Sequence, residues 1–324
     1  MAGGNVREGK ARPEPQSVSV LDFLQMDLPP RRWLVEPLIQ ERDITMLHAW
    51  RGVGKTHFVM HLAWSVASGA PFLRYVVPQP AGVLLVDGEM PREDLQSRFA
   101  ACAGSFNIEP KAPMRLLCAD ALPDGIPSLS TVEGQALIEA ELDAYPDVRL
   151  LILDSISTLC NGGPAENEAE SWTDMQLWLL RLKKRGVSPL IVHHDGKRGA
   201  QRGTSKREDV VSQSIHLKRP EDYNSSQGAR FEVVLEKARG VFGADAEPFE
   251  VQLVTEADGR VRWEVKELET GSFSKLLERL QNGVPTGEAY KDLGISRATA
   301  YRRRRQWLEE GKLSGESGEE TEEE

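Results

Sequence analysis

Apolar residues fall along this chain in short, nearly continuous runs, each followed by a polar residue: Ile44–Leu47, Val83–Val86, Leu150–Leu153 and Leu190–Val192. Runs of that length without alternation mark strands buried on both faces of a parallel sheet. Helical stretches lie between them, at Thr56–Ser68 before Gly69, Arg92–Ala103 before Gly104, and Met175–Arg185 before Gly186. A Gly just past the last turn is the usual stop. This alternation predicts an open, mostly parallel α/β sheet. Farther on, the strands Phe231–Leu235, Phe249–Thr255 and Val261–Lys266 follow one another, the last two joined through Asp258-Gly259, a hairpin signal. From Phe273 the pattern is helical only, which predicts a second, small all-α domain. Four segments result: a Pro-, Gly- and charge-rich arm over 1–30 that reads as disordered, an α/β domain over 31–270, a helical domain over 271–310, and an acidic, disordered tail over 311–324.

Composition supports a globular chain. With 324 residues, 40% of them hydrophobic, it can bury a full core. No apolar run is long enough for a membrane span, and Met1–Gln16 lacks the apolar stretch of a signal peptide, so the expectation is a cytoplasmic protein without a membrane partner. Three scattered cysteines, Cys102, Cys118 and Cys160, indicate neither a disulfide framework nor a zinc cluster. The net charge of −10 argues against a nucleic-acid partner until it is divided. Phe273–Leu308 holds eight Lys+Arg against three Asp+Glu, whereas Glu309–Glu324 holds eight Glu and one Lys. Local charge decides what a surface binds.

The strongest local signal is Ala49-Trp50-Arg51-Gly52-Val53-Gly54-Lys55-Thr56, which follows a strand and opens a helix. That is the context of a phosphate-binding loop, in which backbone N–H groups and the positive end of the helix meet the β-phosphate. The expected nucleotide contacts are Gly52, Val53, Gly54, Lys55, Thr56 and His57, with Lys55 bridging phosphates and the Thr56 hydroxyl on Mg²⁺. Ala49 stands where the usual pattern has its first Gly. Asp154 ends an apolar strand at the edge where α/β ligands bind, a second candidate for the Mg²⁺ shell; the alternative is a helix cap. Glu89 reaches the same edge after Asp87-Gly88 and can orient or deprotonate an attacking water. Asp87 competes with it, more as a turn residue.

Together these residues resemble the RecA-like ATPase core, and within it the RepA-like branch of hexameric replicative helicases of plasmids and phages. The matching pieces are Trp33-Leu34-Val35-Glu36, the loop from His48 to Thr56, Asp87-Gly88-Glu89, Leu153-Asp154-Ser155, His193-His194-Asp195-Gly196-Lys197, Arg202-Gly203-Thr204-Ser205 and Lys237-Ala238-Arg239. The resemblance implies ATP and Mg²⁺ as cofactors and His194 as a γ-phosphate sensor. It also implies a pore loop over Asp195–Asp209, with Lys197, Arg198, Arg202, Lys206 and Arg207 gripping single-stranded DNA. Lys237 and Arg239, leaving their strand on one face, would reach the neighbouring subunit's γ-phosphate. Such fingers require an oligomer, by resemblance a homohexamer.

Pro285–Tyr301 reads as a helix-turn-helix: a first helix over Glu288–Asp292, a turn at Leu293-Gly294-Ile295, and a second helix capped by Ser296. It resembles the resolvase type, with Arg297, Thr299, Tyr301, Arg302 and Arg303 as candidate duplex-DNA contacts. The alternative is a module used only for protein contact. Two functions follow: an ATP-driven DNA helicase or translocase, with an initiator or primase as possible partner, or an ATP-regulated DNA-binding regulator or recombination mediator that does not unwind. A small-molecule kinase is a third reading, disfavoured because no acceptor pocket is evident in the sequence.

Overall fold

The computed structural model describes residues 17–160, 168–195, 210–268 and 271–313, and the chain divides into two compact units, residues 1–31 and 32–324. Within the first unit the supposedly structureless arm contains one short helix, α1 (Val20–Leu24). The Ser19 hydroxyl starts it by accepting from the Asp22 amide at 3.1 Å, a local capping signal that hydrophobic periodicity does not register.

The second unit begins with a small antiparallel pair, β1 (Trp33–Val35) and β2 (Ile39–Gln40). Its main sheet comprises β3 (Thr45–Ala49), β4 (Gly82–Asp87), β5 (Met114–Cys118), β6 (Val148–Asp154), β7 (Ser188–His194), β8 (Gln213–Lys218), β9 (Arg230–Ala238), β10 (Phe249–Thr255) and β11 (Val261–Glu267). They lie in the order β11-β10-β9-β8-β3-β7-β6-β4-β5. Pairings from β5 across to β8 are parallel; those linking β8, β9, β10 and β11 are antiparallel. The intervening helices are α2 (Lys55–Ser68), α3 (Arg92–Gly104), α4 (Val132–Ala144), α5 (Ile156–Leu159) and α6 (Glu168–Arg185).

The apolar runs have two destinations because successive side chains of a strand point to opposite faces. Leu47, Val83, Leu85, Leu150, Ile152, Leu190 and Val192 join Phe58, Val59, Leu62 and Val66 of α2 in one core. Met46, Leu84, Val86, Leu151, Leu153 and Ile191 join Met175, Trp178, Leu179 and Leu182 of α6 in the other. Helices on both faces explain why the strands read as continuous hydrophobic runs.

Several boundaries differ from expectation. α2 ends as predicted, with Gly69 at φ 82 and its amide bonded to the Ser65 carbonyl at 2.8 Å. α3 runs through Gly104 and stops at Ser105. α6 starts seven residues before the predicted Met175, in a polar stretch where periodicity is weak. β5, α4 and β8 were not expected: β5 is an edge strand whose side chains are largely exposed or half-buried, so its sequence carries no apolar run.

The C-terminal part forms three helices, α7 (Gly271–Gln281), α8 (Thr286–Ala289) and α9 (Arg297–Glu309), around Phe273, Leu276, Leu280, Ala289, Ile295, Ala300 and Trp307. The helix predicted over Glu288–Asp292 is instead the single turn α8, opened by Pro285. Asp292 is drawn off to Arg279 of α7, with Oδ2 accepting at 2.8 Å. The turn at Gly294 (φ 67) and the Ser296 cap are as expected, the Ser296 hydroxyl accepting from the Thr299 amide at 3.1 Å.

This helical part packs on the α/β core through a polar, buried seam. Arg74, just past α2, ion-pairs with Glu267 at the end of β11, and both side chains are about 5% exposed or less. Its guanidinium also donates to the carbonyls of Asp245 (3.1 Å) and Glu247 (2.7 Å). From α9, Arg302 donates to the Arg74 carbonyl at 3.0 Å and Thr299 donates to the Asp245 carboxylate at 2.9 Å. The backbones meet at Gly243 and Gly294, where a Cβ on Gly243 would lie 1.6 Å from the Gly294 carbonyl oxygen. Only glycine fits there.

Candidate nucleotide site

The loop between β3 and α2 takes the shape its glycines permit. Gly52 has φ 71 and Gly54 φ 124, both in the region L side chains avoid. Gly54 is further constrained by space: a Cβ there would lie 2.9 Å from Ala229 Cβ and 3.1 Å from the Phe231 ring. Val53 is buried in the core under the loop. The Lys55 ammonium is folded back into the loop, donating to the carbonyls of Ala49 (3.0 Å) and Trp50 (3.1 Å). Burial pulls its pKa down to about 8, against the attraction of Asp154. His57, half-buried in the first turn of α2, is lowered to about 4 by burial and by Arg98.

Asp154 ends β6 beneath the loop and accepts from the Thr56 hydroxyl at 3.0 Å. Burial, reinforced by Asp87, pushes its pKa up to about 6. A buried carboxylate in contact with a hydroxyl, under further negative potential from Glu89, is a donor set suited to a hard divalent cation. Thr56 and Asp154 therefore fit Mg²⁺. Asp87 behaves as the turn residue: its Oδ1 accepts from the amides of Glu89 (3.0 Å) and Met90 (2.7 Å).

Those two bonds turn Glu89 outward over the sheet edge. Its Oε1 accepts from the Ser155 hydroxyl at 2.6 Å and meets His194 Nε2 at 3.1 Å. The His194 bond, with burial opposing it and Ser155 helping, lowers the Glu89 pKa to about 2. His194 is thus tied directly to the carboxylate, while His193 points into the protein and is buried. Lys237 lies within β9, opposite Ser214, and Arg239 is one residue past its end. The strand predicted to stop at Leu235 continues to Ala238, so Lys237 does not leave it. Arg239 is exposed.

Lys197, Arg198, Arg202, Lys206 and Arg207 lie outside the described residues. At the C-terminal part the structure revises the expectation. Thr299 and Arg303 are 4% and 3% exposed, and Arg302 is engaged with Arg74, so these three face the α/β core. Only Arg297 and Tyr301 of the expected contacts lie toward the outer side of α9, stacked on each other at 5.5 Å. Hydrophobic spacing gave α9 but not its facing, because the seam is polar.

Sequence reading missed two residues of the site. Ser155 carries a legible signal, since it directly follows Asp154 at the strand end. Arg219 carries none: it donates to the Gly52 carbonyl at 3.1 Å across 167 positions. A cleft of about 630 Å³ also opens beside Glu89, between Met90-Pro91-Arg92 and Ala119–Pro123. The lack of an acceptor pocket thus no longer counts against a kinase.

A phosphate loop, a buried strand-end carboxylate and a second carboxylate on one edge of this mixed sheet define a RecA-like P-loop ATPase. The sequence matches the AAA domain family over residues 10–200, and the chain belongs to that family. Its fold is similar to that of the KaiC-like protein PH0186 from the hyperthermophilic archaeon Pyrococcus horikoshii OT3, at 16% identity and a TM-score of 0.50, over 71% of this chain and 93% of that one. It is similar also to the solved ATPase domain of a helicase, at 13% identity and a TM-score of 0.50, over 70% of this chain and 85% of that one. None of the curated proteins matches the sequence. Among the described residues no helix is long and apolar enough to cross a membrane.

Proposed function

We propose that the protein is an ATP-driven DNA motor, a hexameric replicative helicase or translocase of the RepA-like kind acting on single-stranded DNA. The observation that carries this reading is the meeting of Glu89 and His194 beside Lys55, Thr56 and Asp154. When bound, ATP brings the γ-phosphoryl group and Mg²⁺ offsets its charge, held by Thr56 and Asp154. Lys55 exchanges its two loop carbonyls for phosphate oxygens. Glu89 orients the attacking water; while His194 and Ser155 hold it near a pKa of 2 it is a weak base. A γ-phosphate that draws His194 away frees the carboxylate, so the sensor and the water-activating group share one contact. Arg239, with Lys237, completes a neighbour's site, making hydrolysis depend on assembly.

In this reading residues 31–270 are the motor, 196–209 the pore loop, and 271–310 a DNA-contacting helix-turn-helix using Arg297 and Tyr301. One observation favours the second reading, an ATP-regulated DNA-binding protein. The seam that holds α9 includes Arg74, six residues past the end of α2, so nucleotide binding and exposure of α9 share a structural route. ATP turnover with and without single-stranded DNA, alongside particle mass with and without ATP, separates them. Strong stimulation and an ATP-supported ring are expected; a rate indifferent to single-stranded DNA refutes the motor.

A further inference from the structure

Four side chains from four neighbouring strands or strand ends close a ring beside the nucleotide site. His48 lies in β3, one residue before Ala49; His216 is its register partner in β8; Asp195 directly follows β7; and Glu236 is in β9. His48 Nδ1 meets Asp195 Oδ1 at 2.8 Å and His48 Nε2 meets Glu236 Oε2 at 3.1 Å. His216 Nε2 meets Asp195 Oδ2 at 3.2 Å and His216 Nδ1 meets Glu236 Oε1 at 2.9 Å. The two imidazoles stack, 4.4 Å apart and 19° from parallel. The side chains of His48 and Asp195 are almost wholly buried, and the ring opens to solvent at Glu236.

Glu236 reaches the ring because β9 carries an extra residue. Ser214 pairs with Lys237 but Ile215 with Leu235, leaving Glu236 unpaired in a bulge. Bulges beside functional sites re-aim side chains. The same irregularity therefore sets Glu236 on the imidazoles and sets the register of Lys237.

A count of hydrogens defines the state of the ring. Four N···O contacts require four hydrogens, and a neutral imidazole donates from one nitrogen only. A single metal ion does not supply the deficit, because stacked rings aim their lone pairs side by side and an ion between them would lie out of both ring planes. The fully bonded ring thus holds two imidazolium and two carboxylate groups, with no net charge.

We propose that His48, Asp195, His216 and Glu236 are positioning residues, a proton-filled clamp that locks the strand bearing Lys237 to the phosphate-loop strand and to the strand end bearing His194. The clamp rests on the reading of Lys237 and Arg239 as groups that act on a neighbour's nucleotide. Bonding to Asp195, against burial, raises the His216 pKa above its ordinary value. Burial opposes the charged Asp195, and the bonds from His216 and His48 outweigh it, holding the carboxyl well below the usual range. The sign follows: the clamp persists through acid pH and is lost as pH rises through the raised value of His216. Lys55, the further charged group within electrostatic reach of Asp195, also titrates on the alkaline side. Saturating ATP keeps Lys55 charged against phosphate, so kcat rather than kcat/KM reports the clamp.

The test is Glu236→Gln in the full chain, at an exposed position where the amide keeps the shape and removes the charge. Turnover at saturating ATP should fall about tenfold, the scale of a modest misplacement of a catalytic group, with KM for ATP nearly unchanged. The alkaline limb of kcat should move to lower pH, and the His216 imidazole resonance should titrate closer to its ordinary value. His216→Gln should reproduce the loss of turnover and flatten that limb. An unchanged kcat and unchanged limb in Glu236→Gln, where Arg239→Ala is inactive, overturns the clamp alone. A fully active Arg239→Ala overturns the finger reading and the clamp with it.

Discussion

The seam between α9 and the sheet predicts a large and selective loss of stability on Glu267→Ala. Glu267 is the carboxylate partner of Arg74, and neither side chain is more than about 5% exposed. Arg74 lies over the Phe249 ring at 4.0 Å and has two carbonyl acceptors, which satisfy hydrogen bonds without neutralising its charge. Removing the carboxylate leaves a buried guanidinium unpaired, a change that costs about 3–5 kcal/mol. Arg302 approaches the same carboxylate at 3.5 Å, but its side chain is 44% exposed, so Arg302→Ala should cost no more than about 1 kcal/mol. The assay is denaturant unfolding followed by tryptophan fluorescence, since Trp307 is fully buried in the C-terminal core and reports that part directly. Replacing both partners, Arg74→Met with Glu267→Leu, should recover most of the loss, because the penalty belongs to the unpaired charge and not to the missing attraction. A Glu267→Ala loss below about 1 kcal/mol, or one equal to that of Arg302→Ala, refutes a desolvated seam.

Other expectations concern the nucleotide site and α9. Glu89→Gln should bind ATP and turn it over at a small fraction of the normal rate; normal single-turnover hydrolysis would remove Glu89 from the water-activating role. Arg239→Ala should be inactive alone yet regain turnover when mixed with Lys55→Ala subunits, and failure of every mixing ratio would count against action in trans. Asp154 has a folded-state pKa raised to about 6, so its charge destabilises the nucleotide-free protein as pH rises through that value. Asp154→Asn should therefore be more stable than the unaltered protein at pH 7, by roughly 2–3 kcal/mol, and lose that advantage below pH 4; thermal unfolding against pH checks the sign. Arg297→Ala should weaken duplex binding and lower its salt dependence if α9 meets DNA by its outer side, and an unchanged salt slope would leave α9 a packing element.

What the sequence determined by itself was local. Continuous apolar runs ended by polar residues located β3, β4, β6 and β7, since burial on both faces leaves no alternation to obscure them. The spacing of Gly52, Gly54, Lys55 and Thr56 located the phosphate loop, because positive φ and a helix start are properties of adjacent residues. Asp154 and Glu89 were legible for the same reason, each being the polar group that follows a buried strand. What only the tertiary structure decided was long-range or polar. Edge strand β5 and mixed strand β8 carry no run, and their pairing comes from neighbours far along the chain. Hydrophobic periodicity is blind to a buried seam made of Arg74, Glu267, Thr299 and Arg303, so the basic residues of α9 looked outward in sequence and are turned inward in space. The ring of His48, Asp195, His216 and Glu236 joins residues up to 188 positions apart. A one-residue bulge aims its last member, and no local pattern records the register of strands that meet only when the sheet forms.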